Sequence, residues 1–130
     1  MNIAKNGVWS ARSGKYKSLN MLFNSSEDYY QSCSPSIPHD LYCQFYVEQF
    51  INKIRIRLNL LDETYYPERI IIYGGSRRSL SVLAEWTLTT LFDSWIEIPI
   101  NQRVFTIGIS IIQVKNGGQD IRLSEIQVIK

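Results

Sequence analysis

The sequence predicts an all-β domain, an antiparallel sandwich or barrel. Three observations carry that reading. Apolar residues recur at every second position, as in Ile54, Ile56, Leu58 and Leu60 against Lys53, Arg55, Arg57 and Asn59. Such alternation belongs to a strand with one buried and one wet face. Turn signals, among them Gly74-Gly75-Ser76 and Asn116-Gly117-Gly118, separate the alternating stretches, the spacing of an all-β fold. Only one stretch reads as helix, and it is a single turn. With 130 residues, 45% of them apolar, the chain is long enough for one domain around one core.

Taken in order, Val8-Trp9-Ser10 opens the chain and is followed by a polar, basic stretch from Ala11 to Ser18. Leu19, Met21, Leu22 and Phe23 form the helical turn, which Asn24-Ser25-Ser26 ends. Tyr29-Tyr30-Gln31-Ser32 leads into a proline-bearing loop from Cys33 to His39. Leu41 to Val47 and Ile51 to Leu60 are two strands. The polar loop Asp62-Glu63-Thr64-Tyr65-Tyr66-Pro67 is expected to stay non-helical, because Pro67 lacks a donor and disfavours helix at Tyr66. A tyrosine-bearing loop on a rigid frame is a contact surface.

Arg69 to Tyr73 is a nearly continuous apolar run and is expected to be buried on both faces. Leu80, Val82, Ala84, Trp86 and Leu88 set the register of the next strand. From Ser94 to Ile100, Ile96, Ile98 and Ile100 take one face and leave Trp95 and Glu97 on the other. Val104 to Val114 is a long strand with Phe105, Ile107, Ile109 and Ile111 inward. The closing strand, Ile121 to Ile129, slips register between Leu123 and Ile126, which predicts a bulge. The total is seven or eight strands in one domain over 1–130, with core strands from about 41 to 129.

A net charge of +2, from 14 basic and 12 acidic residues, is too balanced to argue for nucleic acid or an anionic membrane. No apolar run approaches the ~20 residues of a membrane span. Met1 to Gly7 lacks the apolar core of a signal peptide, so an intracellular protein is expected. Cys43 falls on the apolar register and Cys33 in a Ser/Pro-rich loop. A disulfide between them is possible in principle, and two free thiols are the preferred reading.

Catalysis has little to draw on. His39 is the only histidine and has no cysteine or carboxylate at a recognisable spacing; no nucleophile elbow, phosphate loop or dinucleotide fingerprint is present. The cysteines and histidine do not match zinc spacing. No catalytic residue, metal or cofactor is therefore expected. Asp62 and Glu63 are adjacent and poorly placed as an acid–base pair; they read as a solvated loop, with calcium held by loop oxygens as the sharper alternative. Lys53, Arg55 and Arg57 read as a solvated or edge-protecting face rather than a nucleic-acid stripe, since no aromatics interleave with them. Trp9, Trp86 and Trp95 read as packing rather than a sugar platform, with Trp95 covering the end of the second sheet.

Five stretches, in order, resemble the DOC domain, the fold of the tenth subunit of the anaphase-promoting complex. They are Val8-Trp9-Ser10; Tyr29-Tyr30-Gln31-Ser32 followed by Pro38-His39 and Gln44-Phe45; Asp62-Glu63-Thr64-Tyr65-Tyr66-Pro67; Ser94-Trp95-Ile96-Glu97-Ile98-Pro99; and Asn116-Gly117-Gly118-Gln119-Asp120. The last resembles the family's Asn-Gly-Arg-Asp with one residue inserted, and Gln119 stands where the family has arginine. The resemblance implies a discoidin-like (galactose-binding-like) jelly-roll sandwich. It implies a non-catalytic subunit of a ubiquitin ligase that acts in mitosis and cell division, in nucleus and cytoplasm. That subunit would be a co-receptor for destruction-box substrates beside an activator propeller protein and the other ligase subunits, monomeric when alone.

Carried over residue by residue, Thr64, Tyr65, Asn116 and Gly117 would face the degron, with Tyr30, Gln31, Ser32 and His39 as neighbours. The Thr64 hydroxyl and Asn116 amide would donate and accept hydrogen bonds to an extended peptide. The family's tail ending in Ile-Arg, which docks on a tetratricopeptide subunit, has only Ile129-Lys130 as a counterpart. Docking is therefore expected through the sandwich surface. A discoidin-like glycan- or ligand-binding module is the alternative, and an accessory module of a hydrolase is a third reading.

Overall fold

The computed structural model describes residues 1–11, 19–23, 28–33, 37–89 and 94–130. Seven strands are described: β1 (Val8–Ala11), β2 (Tyr30–Gln31), β3 (His39–Leu58), β4 (Pro67–Gly75), β5 (Leu80–Thr87), β6 (Trp95–Val114) and β7 (Arg122–Ile129). Single 3-10 turns cover Ala4–Asn6, Leu19–Phe23, Glu63–Tyr65 and Lys115–Gly117. The helical turn expected at Leu19 is thus present, while its Asn24-Ser25-Ser26 stop lies outside the described residues.

The strand pairings among the described residues are all antiparallel, and the strand order is β2-β7-β3-β6-β4-β5 with β1 against β3. The halves of β3 have different second neighbours. Leu41 to Gln44 pair with β1, and Lys53 to Leu58 pair with β7. β6 follows β3 throughout, from His39 opposite Ile111 to Arg57 opposite Trp95. The two long strands therefore belong to both layers of a sandwich, β1-β3-β6-β4-β5 and β2-β7-β3-β6. Register shifts near Gln44/Gln49 and Ile51/Lys53, with Asn101 at φ 52°, mark where they turn from one layer to the other.

One core lies between the layers. It takes Leu41, Cys43, Ile54 and Ile56 from β3, Ile70 and Ile72 from β4, Ile98, Ile107 and Ile109 from β6, and Ile126 and Val128 from β7. The bulge in β7 is where the sequence placed it: Arg57 pairs with Glu125 and Leu58 with Leu123, leaving Ser124 extra.

Other expectations are corrected. Strands 41–47 and 51–60 are one strand, as are 94–100 and 104–114. β4 is not buried on both faces, since Ile71 and Tyr73 are half-exposed. In β5 a register shift opposite Ile72/Tyr73 brings Leu83 toward the core and leaves Leu80 and Val82 exposed. Phe105 is only half-buried and Leu60 is exposed. Glu63–Tyr65 forms one 3-10 turn, stopped at Tyr66 (ψ 131°) where Pro67 requires extended backbone.

β3 is flanked on both sides, so Lys53, Arg55 and Arg57 protect no edge. They also meet an aromatic: Arg55 lies 4.3 Å and Arg57 5.8 Å from the Trp95 ring. Trp9 packs against Phe23, with ring centroids 4.9 Å apart, and donates to the Ala4 carbonyl at 2.7 Å.

Neither cysteine is in a disulfide; Cys33 is half-buried and Cys43 buried. Burial pushes the Cys43 thiol up to about 12, from 9.0. A raised folded-state pKa gives stability that is complete below the unfolded value and is lost as pH rises above it. Stability is therefore expected to fall as pH climbs from 9 toward 12. In native protein iodoacetamide should label Cys33 first, with Cys43 reacting only as the chain unfolds; peptide mass spectrometry against denaturant reads this directly.

Candidate functional site

At one end of the sandwich the loop after β3 meets the loop after β6. The first begins with exposed Leu60 and Leu61 and turns at Asp62. Asp62 Oδ1 accepts from the Thr64 backbone N–H at 3.0 Å and from the Thr64 hydroxyl at 2.7 Å, an N-cap on the short turn. The Thr64 hydroxyl, then its backbone N–H, and beyond them Arg122, hold the Asp62 carboxyl below its ordinary value. The Thr64 proton is thus used inside the loop. Its oxygen is left to accept from a ligand, while donation to one would have to replace the bond to Asp62.

The second loop is Lys115–Gly117, with Asn116 at φ 56° and Gly117 at φ 71°. Asparagine and glycine are the residues that tolerate this left-handed region. The loops are tied together. Lys115 N–H donates to the Tyr66 carbonyl at 2.9 Å, and Lys115 Nζ pairs with Glu63 at 3.2 Å. The inserted glycine has a structural reason: a Cβ on Gly118 would lie 2.7 Å from the Thr64 carbonyl oxygen. Thr64, Tyr65, Asn116 and Gly117 therefore share one exposed ridge, with Tyr65 half-exposed.

The other four predicted residues lie beneath it. Tyr30, Gln31, Ser32 and His39, expected as neighbours of those residues, are all buried. Ser32 Oγ donates to Asp120 Oδ1 at 2.8 Å and accepts from Ile121 N–H at 3.0 Å. His39 donates through Nε2 to the Gln119 carbonyl, and this nitrogen lies 3.5 Å from Ser32 Oγ. His39 Nδ1 is buried without a partner. Ser32 and His39 thus pin Gln119 to Ile121, the segment that follows the second loop, to the body.

Sequence reasoning missed Arg122. Its guanidinium lies 3.7 Å from the Tyr65 ring and 4.8 Å from the Tyr29 ring, and its Nε donates to Gln31 Oε1 at 2.8 Å. At the start of β7, it joins the Tyr29–Gln31 segment to the Tyr65 turn, which are distant in the chain. No motif surrounds it; the one available signal is a cation beside the Asn116 loop, close to where the family carries its arginine.

Among the described residues no group of three or more His, Cys, Asp or Glu is arranged to hold a metal ion.

The model of the family "Anaphase-promoting complex, subunit 10" matches residues 1–130. Anaphase-promoting complex subunit 10 of Drosophila melanogaster is 28% identical over 137 residues, covering 97% of this chain and 69% of that protein. Among solved structures, a family 32 carbohydrate-binding module from C. perfringens NanJ, in complex with galactose, superposes with a TM-score of 0.81 at 14% identity, covering 96% of this chain and 94% of the other. A second module from Clostridium perfringens, in complex with GalNAc-β-1,3-galactose, gives 0.84 at 10% identity and full coverage of both chains. At such identities these structures establish the fold, a discoidin-like jelly roll.

Proposed function

The chain belongs to the anaphase-promoting complex subunit 10 family, and from that premise we propose that it is the destruction-box co-receptor of that ubiquitin ligase. Membership supports the coarser statement, a subunit of the complex. In the finer reading the chain adds no catalytic group of its own. It presents the Thr64–Tyr65 and Asn116–Gly117 ridge to a degron held jointly with an activator propeller protein, and so lengthens the substrate's stay for processive ubiquitination. It works in nucleus and cytoplasm, as a monomer until assembled.

One observation carries this reading. Two loops far apart in sequence are locked side by side at one end of the sandwich, with Thr64 and Asn116 exposed and Tyr65 half-exposed. Asn116 offers an exposed amide, Thr64 an acceptor oxygen, and Tyr65 a broad surface at low entropy cost. Leu60 and Leu61 extend the surface with apolar area.

The Thr64→Ala, Asn116→Ala double variant tests it. Both residues are exposed, so the melting temperature should fall by only a few degrees, from the lost Thr64–Asp62 bond and from alanine at φ 56°. Two lost hydrogen bonds at roughly 0.7 kcal/mol each should lower destruction-box-dependent ubiquitination about tenfold in a reconstituted ligase. A substrate lacking the degron should be unaffected. Unchanged ubiquitination of the degron substrate would sink the assignment.

A further inference from the structure

The two ends and two outer faces of the sandwich differ in chemistry. Over the β7-β3-β6 layer the cations are paired. Lys53 and Arg55 lie 3.4 and 2.9 Å from Glu97, and Arg57 lies 3.6 Å from Glu125. At the corner where β3 and β6 turn between layers and the β4–β5 hairpin closes, they are not. The turn Ser76–Ser79 carries Arg77 and Arg78, and Arg103 sits opposite Phe50. None of these three has a carboxylate partner among the described residues. The β3 bend, Gln44 to Phe50, contains a single acid, Glu48.

The same corner exposes large apolar side chains. Tyr46 is 77% and Val47 61% exposed. Arg77 organises them: its Nη2 donates to the Tyr46 carbonyl at 2.8 Å, and its guanidinium lies 5.4 Å from the Phe105 ring. Two depressions adjoin through Arg77. One of about 430 Å³ is lined by Ser76, Arg77, Arg78 and Phe105. The other, of about 150 Å³, is lined by Val8, Gln44, Phe45, Tyr46 and Arg77. Exposed aromatics gathered around arginines are the composition of protein interfaces.

We propose that this corner is a docking surface for an acidic peptide segment of a partner protein, carrying one aromatic or aliphatic side chain. The apolar side chain seats in the depression over Phe105, and its neighbouring carboxylates meet Arg77, Arg78 and Arg103. Guanidinium forks suit carboxylates, and the depression over Phe105, about 430 Å³, has room for a large side chain. The corner goes beyond the co-receptor reading and is separate from it. The nine residues of β4 span about 27 Å between the degron loops and this turn, so both surfaces can be occupied together.

The test uses the isotope-labelled full chain and the synthetic peptide Glu-Glu-Phe-Glu-Glu, followed by amide chemical shifts. Expected are shifts confined to Tyr46, Arg77, Arg78, Phe105 and their neighbours, weakening as salt rises. The Arg78→Glu, Arg103→Glu variant changes two exposed residues; it should keep the core spectrum and bind at least about tenfold more weakly. Absence of shifts at millimolar peptide would overturn the proposal. So would equal shifts from Lys-Lys-Phe-Lys-Lys, or stronger binding of phosphatidylserine vesicles or a single-stranded oligothymidine. None of these outcomes depends on ubiquitination, so failure here leaves the degron reading standing, and the reverse holds too.

Discussion

Arg122→Ala is expected to weaken destruction-box-dependent ubiquitination at least about thirtyfold, more than the loss of Thr64 and Asn116 together. The residue touches both tyrosines and Gln31. Each guanidinium–ring contact is worth ~0.5–1 kcal/mol at a partly exposed site, and the charge-assisted hydrogen bond ~1.5–3 kcal/mol. Because Arg122 is half-exposed, the sum is discounted to roughly 2 kcal/mol. That energy holds Tyr65 where a ligand would meet it, and 1.36 kcal/mol is about tenfold. The melting temperature should drop by a few degrees, leaving a folded protein whose loop no longer presents one surface. Arg122→Lys separates the causes. Lysine restores the charge near Asp62 but neither the planar stack nor the fork, so it should recover only a small part of the activity. Full recovery with lysine would mean that charge alone matters; wild-type activity in the alanine variant would remove Arg122 from the site.

The strands themselves were legible wherever one face is buried, because alternation is the direct imprint of a layer. Ile54-x-Ile56-x-Leu58 and Ile96-x-Ile98-x-Ile100 needed nothing else, and the slip between Leu123 and Ile126 located the β7 bulge. What alternation hides is continuity. Where β3 and β6 pass from one layer to the other, the inward face changes, and a period-two pattern reads that change as a strand end. Hence two long strands looked like four. The same blindness misplaced Val82, whose register is reset by the shift opposite Ile72/Tyr73.

Of the candidate site, the exposed loops were legible and the burial of their neighbours was not. Thr64, Tyr65, Asn116 and Gly117 sit in loops with strong turn chemistry, and loops between strands collect at sandwich ends. Tyr30, Gln31, Ser32 and His39 sit in a loop by sequence too, yet they are buried, because burial depends on what folds over a loop rather than on the loop. Arg122 could not be singled out at all. Its surroundings come from Tyr29, Gln31 and Tyr65 arriving from other parts of the chain, and no spacing encodes that.

Ser32→Ala decides whether the buried residues brace the site or contact the ligand. The hydroxyl is fully buried and serves two partners, Asp120 and the Ile121 N–H, and Ile121 is itself fully buried. Removing it strands a buried backbone donor, which costs ~1–3 kcal/mol, and leaves a half-buried carboxylate short of a donor. The expected loss is about 2–4 kcal/mol out of the 5–15 kcal/mol typical of a domain, seen as a shifted midpoint in urea with an unchanged slope. Asp120→Ala should overlap with it: the double variant should lose less than the sum of the singles, because both cut the same bond. Ubiquitination should then fall in step with the folded fraction and return when the assay is cooled toward the temperature of maximum stability. A variant that melts like wild type yet loses degron-dependent activity would reverse the interpretation. It would put Ser32 in contact with the degron, and would require the Asn116 loop to open when ligand binds.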